Sequence, residues 1–151
     1  MMSTETRYVK PAKSTNIFNE SVAWLTRQGI SVYGSRVLYV RGRKSGELRS
    51  QPVNPLPYQG GRYLVAPRGT TQWVRNIRAA SGEAELRIGR KVEPIRAFEV
   101  ADDDKPELLR AYLKKWAFES GVFFEGLTAR SADAELRAAA PGYPIFRIES
   151  R

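Results

Sequence analysis

The sequence predicts a small antiparallel β-barrel of the α+β class. Three observations carry that prediction. Short β-branched or alternating apolar runs recur along the chain, joined in pairs by the tight glycine turns Gln59-Gly60-Gly61 and Gly89-Arg90. Helical patterns fall between the hairpins, so the parallel β-α-β rhythm of a dinucleotide fold is missing. No G-x-G-x-x-G stretch and no P-loop occurs.

Residues 1–15 are polar, carry Arg7, Lys10 and Lys13, and read as a mobile tail ahead of a single domain over 16–151. Asn16 is placed to cap a first helix running to about Gln28, with Ile17, Phe18, Val22 and Leu25 as its apolar stripe and Gly29 ending it. Arg27 is its only basic residue, which favours packing on the barrel over peripheral membrane contact. Arg36–Arg41 reads as a strand, followed by the polar turn Gly42-Arg43-Lys44-Ser45-Gly46. A second strand is expected over Leu48–Tyr58, confined to irregular or edge pairing by Pro52, Pro55 and Pro57. Arg62–Ala66 returns as a third strand. A short helix then covers about Gln72 to Ala80, with Trp73 and Ile77 facing inward together.

Glu83–Ile88 places Ala84, Leu86 and Ile88 on one face, and Val92–Val100 completes its hairpin. Asp102, Asp103 and Asp104 open a helix whose stripe is Leu109, Tyr112, Leu113 and Trp116, and acids at a helix start suit its dipole. A further short helix over Ser131–Ala140 is stopped by Pro141-Gly142, and Tyr143–Ile148 closes the chain as a strand.

Composition removes whole classes of chemistry. The 151 residues suffice for one core, and 42% hydrophobic with 27% charged residues argues for a globular chain. With no cysteine and no histidine, thiolate nucleophiles, disulfides, the usual zinc sites and a Ser-His-Asp triad are excluded. A cofactor supplying the reactive atom is the economical route to catalysis. No stretch approaches the ~20 apolar residues that span a bilayer, nor do the first fifteen suit a signal peptide, so a cytoplasmic location is expected. The net charge is +9, and it is local: residues 36–78 hold nine basic residues against the single acid Glu47. An anionic ligand contacting the middle of the chain is the natural inference.

Two stretches in that basic region resemble one family together. The first is Gly42-Arg43-Lys44-Ser45-Gly46-Glu47-Leu48-Arg49, directly after a strand. The second is Ala66-Pro67-Arg68-Gly69 followed by Trp73-Val74-Arg75-Asn76-Ile77-Arg78-Ala79. In type, order and spacing they resemble the deazaflavin (F420)-dependent nitroreductase family, whose members pair a GRKSG turn with a W-x-x-N helix. The resemblance runs from about Arg36 to Trp116. It implies an antiparallel split β-barrel, similar to FMN-binding split barrels, with helices packed around it. It further implies an oxidoreductase that passes a hydride between coenzyme F420 and a small hydrophobic, electron-poor acceptor such as a quinone, an enone or a nitroaromatic.

The coenzyme carries a phosphodiester and a glutamate tail, and the residues available suit those anions. Arg43, Lys44 and Arg49 offer charge-assisted donors, Ser45 adds a hydroxyl and a backbone N–H, and glycines 42 and 46 let the backbone approach closely. Arg68, Arg75 and Arg78 are expected to hold the tail or phosphate from the other side. The resemblance implies that Pro67, Arg68 and Gly69 run beside the deazaflavin ring. Asn76 either bonds the ligand or fixes the cofactor turn through its backbone, and Trp73 and Ile77 are read as core anchors. On the substrate side the resemblance points to Asn54, Tyr112, Phe123 and Phe124, with Gly121 and Gly126 flanking a lid-like stretch. Pro67 stands where nitroreductase-type members often carry a serine, and Asn54 where some carry an aromatic.

Three alternatives remain at this point. FMN suits a basic phosphate turn equally well on a related barrel. Basic charge interleaved with Tyr39, Tyr58, Tyr63 and Trp73 is also the pattern of a barrel that tracks a nucleic-acid backbone. The third is a cofactor carrier without catalysis. A homodimer is compatible with the resemblance, since split-barrel relatives include monomers and dimers.

Overall fold

The computed structural model describes Arg7 and residues 36–151, the side chains of Phe118 and Glu119 excepted. The first helix expected from Asn16 to Gln28 and, Arg7 apart, the expected tail lie outside the described residues. Seven strands form one antiparallel sheet: β1 (Arg36–Arg41), β2 (Leu48–Val53), β3 (Leu56–Tyr58), β4 (Gly61–Val65), β5 (Glu83–Ile88), β6 (Lys91–Glu99) and β7 (Ile145–Ser150). Among the described residues, three α-helices accompany them: α1 (Gln72–Ala79), α2 (Lys105–Ser120) and α3 (Asp133–Ala139).

The strand order is β2-β1-β5-β6-β7-β4-β3. Its two outermost strands are therefore consecutive in the chain, separated only by Asn54 and Pro55. In a flat sheet seven strands wide the edges would lie ~29 Å apart at ~4.8 Å per strand. Three Cα–Cα steps reach only ~11 Å. The sheet must curl until its edges nearly meet, which gives a split barrel. The continuous strand expected over Leu48–Tyr58 is thus two strands. Val53 pairs with Arg36 on one edge and Leu56 with Tyr63 on the other. All three prolines fall at or between edge positions, where a missing N–H costs the ladder nothing.

Alternation along the strands separates two cores. Leu64, Phe146 and Ile148 point into the barrel with Leu38, Val40, Leu86 and Ile95, while Val65 and Ile145 point outward. The barrel interior is plugged by Trp73, Val74 and Ile77 of α1, with the Trp73 and Phe146 rings 5.8 Å apart. The outer face is covered by α2, whose Leu108, Leu109, Tyr112, Leu113 and Trp116 form one helical stripe, and by Leu136 of α3. Trp116 Nε1 donates to the Pro55 carbonyl at 3.4 Å, which ties the helix to the seam between β2 and β3.

The acidic run at 102–104 forms a 3₁₀ turn, and the α-helix proper begins at Lys105 with Pro106 in its first turn. Lys105 is 1% exposed, its Nζ 2.7 Å from Asp102 Oδ1 and donating to the Ala140 carbonyl at 3.2 Å. Among the described residues, no helix is long and apolar enough to cross a membrane.

Candidate functional site

The turn after β1 is closed by its own backbone. Gly42 N donates to the Glu47 carbonyl at 2.8 Å and Gly46 N to the Gly42 carbonyl at 2.9 Å. Gly46 sits at φ +75°, a conformation that side-chain-bearing residues rarely adopt. Ser45 Oγ accepts from the Glu47 N–H at 3.1 Å and from Arg49 Nη2 at 3.5 Å, so its hydroxyl stiffens the turn. The side chains of Arg43, Lys44 and Arg49 remain exposed on this rigid loop.

Helix α1 docks against the turn through two amides on one helical face. Asn76, 5% exposed, accepts at Oδ1 from the Arg43 backbone N–H at 3.1 Å and from Arg43 Nη1 at 2.8 Å. Gln72, one helical turn earlier, accepts at Oε1 from the same Nη1 at 3.0 Å. The two amides hold both the backbone and the guanidinium of Arg43. Of the two roles open to Asn76, the structure shows it fixing the turn through its backbone.

A groove of about 420 Å³ opens between the turn, β2 and α1. That size falls within the ~300–1,000 Å³ typical of small-molecule sites. Arg43, Lys44, Ser45, Arg49 and Asn76, all singled out from the sequence, line it. Ser50, Gln51 and Gln72 line it too and were not foreseen. A signal for two of them existed, since Gln51 lies two residues from Arg49 on one strand face and Gln72 four residues before Asn76. Among the described residues, three cations and several neutral donors line the groove, and the Glu47 carboxylate lies beside them. It lies 3.5 Å from Arg49 with both side chains well exposed, an arrangement that binds weakly. This donor set fits an anionic ligand.

The remaining expected residues are placed elsewhere. Pro67, Arg68 and Gly69 form the loop that leads into α1, with Arg68 and Gly69 buried. Arg75 is exposed on α1 and its Nε donates to the Thr70 carbonyl at 3.3 Å. Arg78 makes a two-bond pair with Glu99 at the end of β6, at 2.9 and 2.6 Å. Asn54 is half-buried between β2 and β3. Tyr112 and Phe124 lie in the outer core, Tyr112 bonded to Ser120 Oγ at 3.2 Å and Phe124 stacked on Tyr143 with ring centroids 4.5 Å apart. Phe123 is half-buried, and its carbonyl accepts from Tyr143 Oη at 3.1 Å. Tyr58 and Tyr63 pack against the outer core, and Tyr39 lies under the Arg87 guanidinium, 4.0 Å from ring centroid to Cζ.

Residues 13–121 match the family described as F420H(2)-dependent quinone reductase. No match is found among the curated proteins. Among solved structures, one described only as a domain-swapped dimer superposes with a TM-score of 0.53 at 19% identity, over 91% of this chain and 94% of the other. A structure described as an F420-H2 dependent reductase (FDR-A) gives 0.50 at 19% identity, over 76% of this chain and 93% of the other. The protein Atu2129, of unknown function, from Agrobacterium tumefaciens str. C58 gives 0.51 at 15% identity, over 87% of this chain and 56% of its own. At these identities the structures are alike in fold.

Proposed function

The chain belongs to the F420H(2)-dependent quinone reductase family, and we propose that the groove beside the Gly42–Glu47 turn is where it holds the anionic part of coenzyme F420. As a member of that family it is an F420-dependent oxidoreductase. The observation that carries the placement is the clamp on Arg43. Two amides of α1 hold the backbone and guanidinium of Arg43, so the turn itself needs little further ordering on binding. Arg43, Lys44 and Arg49 would neutralise phosphate and carboxylate oxygens, with Ser45, Ser50 and Gln51 supplying neutral donors.

When bound in reduced form, the coenzyme supplies a hydride for an electron-poor acceptor. The protein's part is to position the two partners and exclude water. The acceptor we assign is a quinone, which takes one hydride and one proton to become the hydroquinone. The chain has no histidine or cysteine, so the proton would come from water or from a tyrosine, lysine or carboxyl side chain, of which we favour water or a tyrosine. The match to a quinone reductase family supports the choice of a quinone, as does Pro67 standing where the resemblance leads one to expect the serine of nitroreductase-type members.

The test is oxidation of reduced F420, followed by absorbance, with a soluble quinone, an enone and a nitroaromatic as competing acceptors. Quinone turnover well above the other two supports the assignment. Turnover of the nitroaromatic alone would overturn it.

A further inference from the structure

We propose that Arg7 is a positioning residue for the site, fixing the loop over residues 66–71 against the turn that follows α2. The inference rests on the cofactor site assigned above, and Arg7 itself lies outside the residues matched to the family. The residue is 7% exposed, a rare state for arginine unless it is paired; both terminal nitrogens are hydrogen-bonded, whereas Nε has no hydrogen-bond partner.

Its guanidinium gathers carbonyls from three separated segments. Nη1 donates to Pro67 O at 2.8 Å and to Gly142 O at 3.2 Å, and Nη2 donates to Phe123 O at 2.7 Å. Cζ sits 4.2 Å from the centroid of the Tyr143 ring, and Nε lies 3.7 Å from Glu125 Oε1. Glu125 has φ +52°, a left-handed conformation costly for a side-chain-bearing residue, and it is held there on the turn that Arg7 grips.

The backbone of Arg7 acts on the same loop. Its carbonyl accepts from Thr70 N at 2.7 Å. A Cβ at Gly69, whose φ is +85°, would lie 2.3 Å from that oxygen. The loop therefore requires glycine there for two reasons, its conformation and the closeness of Arg7. From Thr71 the chain passes directly into α1, whose first residue Gln72 and, one turn further, Asn76 hold Arg43. A single buried cation thus joins the loop entering α1 to the turn after α2, and through α1 to the basic turn. The planar fork suits this task, because several carbonyls in different directions each receive a donor held in fixed geometry.

The experiment compares the full chain with Arg7→Ala and Arg7→Lys by amide hydrogen exchange and by fluorescence titration with F420. In Arg7→Ala, exchange at residues 68–71 should accelerate about tenfold or more while the amides of β5 and β6 stay as protected as in the parent. F420 affinity should fall about tenfold. Arg7→Lys, keeping the charge without the fork, should lie between the two and serves if the alanine variant does not fold. Unchanged exchange at 68–71, or acceleration spread equally over β5 and β6, would overturn the proposal. Faster exchange at 68–71 with unchanged F420 affinity would also overturn it, since the loop would then have no bearing on the site. A parent that binds no F420 sinks the assigned cofactor site and the positioning role built on it, whereas exchange still decides whether Arg7 holds the loop.

Discussion

Asn76 offers the sharpest separation of folding from binding, because one buried oxygen serves both. Asn76→Ala removes a bond to the Arg43 backbone N–H and another to its guanidinium. A neutral hydrogen bond is worth ~0.5–1.5 kcal/mol and a charged one ~1.5–3. The Arg43 side chain is exposed, so water replaces most of the second bond, and the net cost in stability is about 1–2 kcal/mol. For a domain of this size that lowers Tm by roughly 3–6 °C. Trp73, Val74 and Ile77 still anchor α1, so the fold survives. The turn, no longer fixed, should bind F420 about ten- to a hundredfold more weakly, equivalent to ~1.4–2.7 kcal/mol.

Asn76→Asp keeps an acceptor for both Arg43 donors and should leave Tm within a few degrees of the parent. It adds a negative charge beside an anion site, at a cost of roughly 1 kcal/mol for charges several ångströms apart in a partly hydrated environment. Its affinity should therefore fall, and fall most at low salt. Thermal melts and F420 titrations at two ionic strengths test both variants. If Asn76→Ala bound F420 as tightly as the parent, or more tightly because Arg43 had been released, the pre-organised turn would be refuted.

Other outcomes follow from the same geometry. Lys44→Ala and Arg49→Ala should each weaken F420 binding by ~1.5–3 kcal/mol with melting unchanged, because both side chains are exposed; titration calorimetry and melts read the two effects. Lys105→Met keeps most of the buried stem but removes the donor to the buried Ala140 carbonyl, and should cost ~1–3 kcal/mol by chemical denaturation. The Glu93 carboxyl is held at about 2 against an ordinary 4.5, chiefly by its hydrogen bond from Arg62, with burial opposing and Ser150 assisting. A lowered carboxylate contributes fully above about pH 4.5 and is lost as pH falls toward 2. Both partners are more than a third exposed, so the amount is at most ~1 kcal/mol. Acid unfolding of Glu93→Gln should accordingly lack part of the parent's loss of stability across that window.

The parts of this fold governed by local pattern were legible in the sequence. Arg36–Arg41 forms the strand its β-branched and aromatic residues imply, Glu83–Ile88 the strand its alternation implies, and Leu109, Tyr112, Leu113 and Trp116 face one core as their spacing requires. The break at Asn54-Pro55 was not legible. Apolar and proline positions run on through it, and only the strand order, a property of distant pairings, sends the two halves to opposite edges. Around the candidate groove, the residues of the basic turn and Asn76 could be picked out from the local charge and the paired motifs, and they line it together. Arg78 did not reveal its engagement with Glu99, which lies 21 positions away in sequence and meets it only after folding. Arg7 is the clearest case. It stands in a polar stretch expected to be a tail, and its burial depends on carbonyls 60 to 135 positions away, which no local pattern encodes.

The central claim, that the basic groove binds a deazaflavin, is tested most directly by titrating the protein with F420 and with FMN under identical salt and repeating both with a Lys44→Ala, Arg49→Ala double variant. The account predicts tight binding of F420, weaker binding of FMN, and loss of the F420 signal in the double variant. Tighter binding of FMN, or F420 binding that the double variant retains in full, would contradict it.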